Sequence, residues 1–329
     1  MQSRVESYPA LIAYRLAIGF FDSAVWIGAA KLIVGWFPPE QRGRALGALL
    51  AAFSLAITLD FAIGIPLSAS LGWRSFFALL GVGTLIVGVA SVFLVRDVAT
   101  QLGIAQFSWD DTTAVSSGAR LRDIFRMKYF YIASLAIFGA MFGISATATW
   151  VVPAFITTQH MPPPSAALIG TVMGLSQVVF LIVGGFMSDH YAKRIAAMKV
   201  AALLSVIAAA LLIVSAKIAL PFSALIAISI FCGVVVAAGG AIFALISEKC
   251  GDALAGSAIG YAEMVGISSS FIAPPLLGGI LQTTGSYAAA FWGFLLVEGL
   301  IFVVLMLCKN ESRATHAAVT RHAVGAQPL

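Results

Sequence analysis

The chain has 329 residues, of which 60% are hydrophobic and 10% are charged, and its net charge is +5 at neutral pH. A soluble domain carries roughly 25% charged residues, so this composition excludes a water-soluble globular fold. The basic excess does not indicate nucleic-acid binding, because membrane proteins gain such an excess from their cytoplasmic loops.

Nine long apolar stretches follow one another along the chain. Each reaches the roughly 20 residues that an α-helix needs to cross a bilayer. The apolar runs are continuous and do not alternate with period two, which favours helices over a membrane β-barrel. The sequence therefore predicts an all-α membrane protein with about nine transmembrane helices. The stretches are residues 10–36, 45–69, 73–95, 129–157, 164–188, 195–216, 220–247, 255–282 and 286–308.

Lysine and arginine residues favour one side of the predicted membrane. Of the 19, 14 fall on the side of the loop that follows the first helix, three fall on the opposite side and two lie within the first stretch. The positive-inside rule therefore predicts a cytoplasmic C-terminus and an outside N-terminus. We expect a plasma membrane location, with the bacterial inner membrane favoured, and no signal peptide before the first helix.

A weak internal repeat appears at an offset of 208 residues. Residues 40–46 (EQRGRAL) match residues 248–254 (EKCGDAL), and Pro66 falls on Pro274 at the same offset. Internal repeats of this kind are typical of secondary transporters. If the helix that leads into each copy is counted with it, three further helices (129–157, 164–188 and 195–216) precede the second copy within its half and none precedes the first. The predicted architecture is therefore 3 + 6, where symmetry calls for 6 + 6.

This repeat predicts the domain organisation. The predicted segments are a partial N-terminal half at 1–95, a cytoplasmic linker at 96–128, a six-helix C-terminal half at 129–308 and a cytoplasmic tail at 309–329.

Four motifs, in this order and spacing, resemble the major facilitator superfamily. They are RLAIG at 15–19, WFPPEQRGRALG at 36–47, LGWRSF at 71–76 and GFMSDHYAKR at 185–194. The resemblance implies a major-facilitator-type helical bundle, in register with that family's fourth to twelfth helices and lacking its first three. It also implies a central cavity that the first helix of this chain helps to line.

Charged residues inside the predicted helices are the sharpest clues to function. Inserting each such residue at the centre of a membrane helix costs roughly 2.5–3.5 kcal/mol of free energy. Charged residues in this position usually belong to a substrate or ion pathway, a proton relay or a buried ion pair. Arg15 and Asp22 lie seven residues apart, about two turns along one face of the first helix. They either line an aqueous surface, or Arg15 snorkels to the interface and pairs structurally. Asp60 is a candidate for taking up a proton or for pairing with Arg15, whereas Lys31 is expected to snorkel.

Four residues are of interest in the C-terminal half. Glu263 is a candidate for substrate binding or coupling, and Glu298 is expected either to face a neighbouring helix or to be protonated. By the resemblance, Trp150 and Gln177 line the cavity. The glycines of 233–240 are expected to permit close helix packing.

Two prolines and one loop are expected to serve conformational change. Pro274 and Pro275 are expected to break the hydrogen-bond ladder of the eighth helix and allow a hinge. The loop that contains Gly185, Asp189, Lys193 and Arg194 resembles the family's conformational latch, in which a carboxylate pairs in one state and is released in another. The alternative is a solvated loop with ordinary positive-inside charge.

Other kinds of site find no support in the sequence. The four histidines lack metal-ligand spacing and the three cysteines lack paired spacing. There is no ATP-binding motif and no nucleophile–base constellation, so we expect neither an enzyme nor a cofactor nor a metal.

These observations predict a secondary active transporter that moves a small solute by alternating access. Arg15 favours an organic anion, and a proton or counter-ion is the expected coupling partner, with Asp22 or Asp60 as the titrating group. The alternative is a truncated, non-transporting remnant of such a transporter, because missing helices would leave packing faces open to lipid.

Overall fold

The computed structural model describes residues 5–36, 49, 51–95, 121–191, 194–250 and 252–309. Within these ranges the chain is almost entirely helical and contains no β-strand. The predicted all-α membrane fold is confirmed.

Nine long helices lie in the described ranges, one on each predicted apolar stretch. They are α1 Tyr8–Trp36, α2 Ala51–Leu71, α3 Trp73–Leu94, α4 Lys128–Thr158, α5 Pro163–Tyr191, α6 Arg194–Lys217, α7 Phe222–Cys232 continued by Gly239–Cys250, α8 Asp252–Thr284 and α9 Tyr287–Leu307. Helices α2 to α9 are long and apolar enough to cross a bilayer. Helix α1 has 29 residues, which also exceeds the length of a single crossing.

Helix α2 contains a wider, π-helical turn at Asp60–Gly64. The N–H of Ile65 donates to the carbonyl oxygen of Asp60, five residues earlier, and Pro66 follows directly. A proline lacks an N–H and its ring crowds the carbonyl four residues before it. The wider turn accommodates that ring without ending the helix, and π turns of this kind are frequent at functional sites.

Helix α8 runs through Pro274 and Pro275 without interruption. The helix therefore does not end at these prolines, and the predicted hinge stays a prediction. Pro274 removes the N–H that would serve the carbonyl of Ser270, and the hydroxyl of Ser145 in α4 donates to that carbonyl at 3.2 Å. Neighbouring helices commonly satisfy backbone groups that a proline frees in a membrane, and the helix continues for that reason.

The chain divides into two compact units. Unit 1 holds the described residues of Met1–Ala114 and Pro163–Gly174, and unit 2 holds those of Val115–Pro162 and Leu175–Leu329. The predicted segments at 1–95, 96–128, 129–308 and 309–329 have other boundaries and stay a prediction.

In unit 1, one face of α2 packs against the first turns of α5. Ser54, Thr58 and Phe61 are buried on that face. Gly174 of α5 approaches so closely that a Cβ there would lie 2.9 Å from the Cα of Thr58. Gly170 in turn lies against the ring of Phe61. Glycine at these two positions lets the backbones meet, which is how helices in lipid gain van der Waals contact.

The core of unit 2 is built from small side chains. Eight of the twenty residues in its main buried cluster are alanines, contributed by α4, α6, α7 and α8. Lipid tails are as apolar as leucine, so helix association in a membrane depends on close packing rather than on removal of water. An alanine-rich interface provides that closeness.

The closest approach in unit 2 is a seam of glycines between α5 and α7, at Gly184, Gly233 and Gly240. A Cβ at Gly184 would overlap the carbonyl oxygen of Ala237, and one at Gly240 would lie 3.0 Å from the Cα of Gly185. A Cβ at Gly233 would lie 2.8 Å from the backbone nitrogen of Gln177. The predicted close packing at 233–240 is confirmed.

We expect Gly184→Ala to lower the thermal unfolding midpoint of the purified chain. The added methyl group would overlap a backbone carbonyl that cannot rotate away, and overpacking of this kind costs about 1–3 kcal/mol. Gly185→Ala is the matched control, because the adjacent position has open space around its Cβ. Midpoints measured by size-exclusion chromatography after heating should separate the two variants, and equal midpoints would contradict the seam.

Candidate functional site

Two charged side chains predicted to act together, Arg15 and Asp22, are both exposed on α1 of unit 1. The guanidinium carbon of Arg15 lies 5.5 Å from the ring centroid of Phe77 in α3, within the range of a cation–π contact. Among the described residues, Arg15 forms no ion pair with Asp22 or with Asp60. The guanidinium N–H groups therefore stay available to an anion.

Asp60 begins the π-helical turn of α2 and is exposed. Its carboxyl group lies over Gly64, where a Cβ would be 3.3 Å from Cγ of Asp60 and 3.2 Å from the ring of Phe76. Gly64 thus leaves the room that this carboxylate occupies. The π turn and the glycine together fix where the Asp60 side chain leaves the helix.

Trp150 in α4 is half-buried, and its ring packs on α8 and near the start of α9. A Cβ at Gly278 would lie 3.0 Å from the ring, and the ring centroid of Tyr287 is 6.5 Å from that of Trp150. The indole Nε1 is buried and has no hydrogen-bond partner among the described residues. A buried tryptophan N–H usually finds a partner, so this donor is available to a ligand or water.

Gln177 in α5 is fully buried in unit 2. Neither its Oε1 nor its Nε2 has a hydrogen-bond partner within the described part of the chain. Leaving a buried donor or acceptor unsatisfied costs about 1–3 kcal/mol, so an amide is retained here at a cost to stability. A group with this cost is a candidate for binding something polar.

Glu263 in α8 is half-buried, and the structure shows no partner for it in the described residues. Trp150, Gln177 and Glu263 belong to unit 2, whereas Arg15, Asp22 and Asp60 belong to unit 1. The six predicted substrate or coupling residues thus divide equally between the units.

The predicted latch lies where α5 ends at Tyr191 and α6 begins at Arg194. Gly185 adjoins the glycine seam but has open space around its own Cβ, and Arg194 is half-buried. Asp189 lies in the last turns of α5, but its side chain is outside the described part of the structure, as is the whole of Lys193. The latch role stays a prediction.

Sequence reasoning placed less weight on three residues that the structure brings forward. Ser145 and Ser270 join α4 to α8, since the hydroxyl of Ser145 donates to the carbonyl of Ser270. Glu298 is only 2% exposed and lies beside Gly139 and Gly143 of α4. The spacing Gly-x-x-x-Gly at 139–143 was the available signal, because it predicts a close helix contact on that face of α4.

Eight helices of the described residues that are long and apolar enough to cross a bilayer indicate a polytopic membrane protein. The family model described as Major Facilitator Superfamily matches residues 3–274 and, again, residues 134–328. The chain therefore belongs to the major facilitator superfamily, and the predicted resemblance is confirmed.

Characterised and inferred transporters are among its relatives. The hexuronate transporter of Bacillus subtilis is 23% identical over 302 residues, which are 89% of this chain and 70% of that protein. A putative tartrate transporter of Agrobacterium vitis is 24% identical, over 96% of this chain and 72% of that protein. The probable L-galactonate transporter of Escherichia coli is 21% identical, over 88% of this chain and 67% of that protein.

Solved structures share the fold at low sequence identity. A bacterial homologue of the human lysosomal transporter Spinster has a TM-score of 0.67 at 14% identity, covering 93% of this chain and 77% of that one. A D-xylose–proton symporter has a TM-score of 0.64 at 18% identity, and the match covers 84% of this chain and 65% of the symporter.

We expect Gln177→Met to preserve or raise the thermal stability of the chain. The substitution keeps the unbranched shape and removes two polar atoms that lack partners, and such a change is nearly neutral or stabilising. If Gln177 binds substrate, the same variant loses affinity without losing stability.

Gln159→Met is the matched control for this substitution. The Gln159 amide donates to the carbonyl of Ile218 at 2.8 Å and accepts from the backbone N–H of Leu220 at 3.0 Å. Its removal should lower stability by about 1–3 kcal/mol, measured by thermal or denaturant unfolding. Equal destabilisation by the two variants would show that Gln177 has partners of its own.

Proposed function

We propose that this protein is a secondary active transporter that moves a small hydroxylated carboxylate across a membrane by alternating access. The candidate substrate and coupling residues are Arg15, Asp22 and Asp60 in unit 1, and Trp150, Gln177 and Glu263 in unit 2. Carriers of this fold bind near the bilayer midplane and expose the site to each side in turn.

The absence of any ion pair at Arg15 among the described residues is the observation that carries this proposal. A charge within a membrane helix is costly, and one without a counter-charge is usually kept for a pathway or a ligand. The planar guanidinium group offers a fork of N–H donors that matches a carboxylate. An organic anion would supply the missing negative charge.

The names of the relatives support the same substrate class. Hexuronate, tartrate and L-galactonate are each a carboxylate that also carries several hydroxyl groups. Such a molecule would need a cation for the carboxylate and neutral polar groups for the hydroxyls. Within unit 2, the Gln177 amide and the Trp150 indole N–H have hydrogen-bonding capacity that no described residue uses.

Coupling to a proton would give the transport a driving force. Asp22 and Asp60 are carboxyl groups in the helices of unit 1 that no cation neutralises among the described residues. A carboxylate that alternately binds and releases a proton as the carrier changes state would link the substrate to the proton gradient. Gly185, Asp189, Lys193 and Arg194 would serve as the latch between states. Two structural neighbours, a D-xylose–proton symporter and the fucose–proton symporter of Escherichia coli, are symporters.

We expect Arg15→Gln to weaken the binding of hydroxylated carboxylates by at least about tenfold. Losing a hydrogen bond to a charged group costs about 1.5–3 kcal/mol, and 1.4 kcal/mol is a tenfold change in the dissociation constant. The measurement is equilibrium binding of radiolabelled glucuronate, tartrate and galactonate to the full chain, purified in detergent.

Arg74→Gln is the control for the charge change. Arg74 also belongs to unit 1, but its guanidinium carbon lies 4.3 Å from the ring centroid of Trp73 and its Nη2 donates to the carbonyl of Val5. Its loss should leave ligand affinity unchanged. The proposal would be contradicted if the wild type bound none of the three anions, or if both variants lost the same amount of affinity.

We also expect the C-terminus to lie in the cytoplasm of a bacterial inner membrane. This orientation follows from the positive-inside rule, because 14 lysines and arginines fall on the same side of the membrane as the C-terminus and three fall on the opposite side. A green fluorescent protein fused after Leu329 should fluoresce, since it folds in the cytoplasm, whereas an alkaline phosphatase fusion at the same place should be inactive. The reverse pattern would overturn the orientation.

A further inference from the structure

Glu298 lies near the middle of α9, where the proposed transport function assigns it no role. It is only 2% exposed and lies within unit 2. A Cβ at Gly139 would be 3.5 Å from its Oε2, and a Cβ at Gly143 would be 3.5 Å from its Oε1. Two glycines one turn apart on α4 thus leave the space that the carboxyl group occupies.

A small cavity adjoins this carboxyl group. Its volume is about 10 Å³, and its walls come from α4, α6, α7 and α9, with Ala140, Ala201 and Val235 among them. This is the volume open to the centre of a water molecule, and a cavity needs roughly 10–15 Å³ of it to hold one water. The cavity beside Glu298 therefore has room for a single water. Ser205 is the one other residue with a polar side chain in its lining.

The carboxyl group is not neutralised by any described neighbour. Its Oε1 is buried and has no hydrogen-bond partner in the described residues. Helix α9 packs against α4, α6 and α8, and the 3₁₀ turn of α7 completes the cavity wall. The titratable side chains described on these helices are Lys128, Tyr129 and Tyr131 on α4, Arg194, Lys199 and Lys217 on α6, Cys232, Lys249 and Cys250 on α7, Tyr261 and Glu263 on α8, and Tyr287 and Cys308 on or beside α9. None of these described residues lines the cavity.

An ionised carboxylate in such a place would lack both a counter-charge and hydrogen bonds. Burying an unpaired charge is far more costly than burying a neutral polar group, and a carboxyl group avoids that cost by binding a proton. The neutral acid then needs only one acceptor for its O–H group and one donor for its carbonyl oxygen. A single water in the adjoining cavity would supply both.

We propose that Glu298, with the cavity between α4, α6, α7 and α9, forms a site that holds one proton and one water molecule. A metal cation would need about six oxygen ligands, whereas the lining offers one carboxyl group and one hydroxyl group among alkyl side chains. The proton and its water remain in place inside the helical unit. They belong to its packing and need neither a substrate nor an ion gradient.

The test is infrared spectroscopy of the full chain, purified in detergent at neutral pH. The wild type should show the carbonyl stretching band of a protonated carboxylic acid, and this band should shift when the water is replaced by D₂O. Glu298→Gln should lose the band and keep the wild-type unfolding midpoint. Glu6→Gln, which changes an exposed residue before α1, should keep the band.

Two results would overturn the proposal. One is a wild-type spectrum without the carboxylic acid band, which decides the question even if no variant folds. The other is a gain in wild-type thermal stability on replacing choline by Na⁺ that Glu298→Gln abolishes, because it would mean that a cation occupies the site. Glu298→Met removes the same carboxyl group with an apolar side chain, and it should lose the band as Glu298→Gln does.

Discussion

Hydrocarbon offers no hydrogen-bond partner, so each backbone carbonyl in a membrane helix depends on a donor within the protein. Two departures from regular helix in this chain obey that constraint. In α8 the hydroxyl of Ser145 donates to the carbonyl of Ser270, which Pro274 has deprived of its usual donor. In α2 the N–H of Ile65 reaches back five residues to Asp60, just before Pro66. The helices therefore persist through their prolines, and the polar side chains keep fixed positions on them.

Close backbone packing is the second condition, and it also creates the places where polar groups reside. Gly184 lets α5 meet α7, and the alanines of unit 2 let the other helices approach. Gly139 and Gly143 do the same for α4, yet their missing side chains also leave the space that Glu298 fills. Small residues thus serve both the contact between helices and the burial of a carboxyl group, because a helix face without side chains offers room as well as proximity.

The helices were predictable because a membrane crossing imposes length and apolarity on the sequence directly. Each predicted stretch contains one long helix, and the family followed from motifs such as GFMSDHYAKR at 185–194. The continuity of α8 through Pro274 was not predictable, since the donor to the Ser270 carbonyl comes from residue 145 and no local pattern reveals that contact. The candidate residues were identified by charge and polarity, and Trp150 and Gln177 also by the resemblance to the family. Their burial was not predictable, because Gln177 and Glu263 differ in it only through the helices that pack around them.

The bond between Ser145 and Ser270 has a consequence for how this sequence can vary. The hydroxyl at position 145 is required only while position 274 is a proline, because any other residue there would supply the carbonyl of Ser270 with its own helical N–H. The two positions are therefore epistatic. A chain that first exchanges Pro274 becomes free to lose Ser145, whereas the opposite order passes through an intermediate in which the Ser270 carbonyl has lost its donor between α4 and α8.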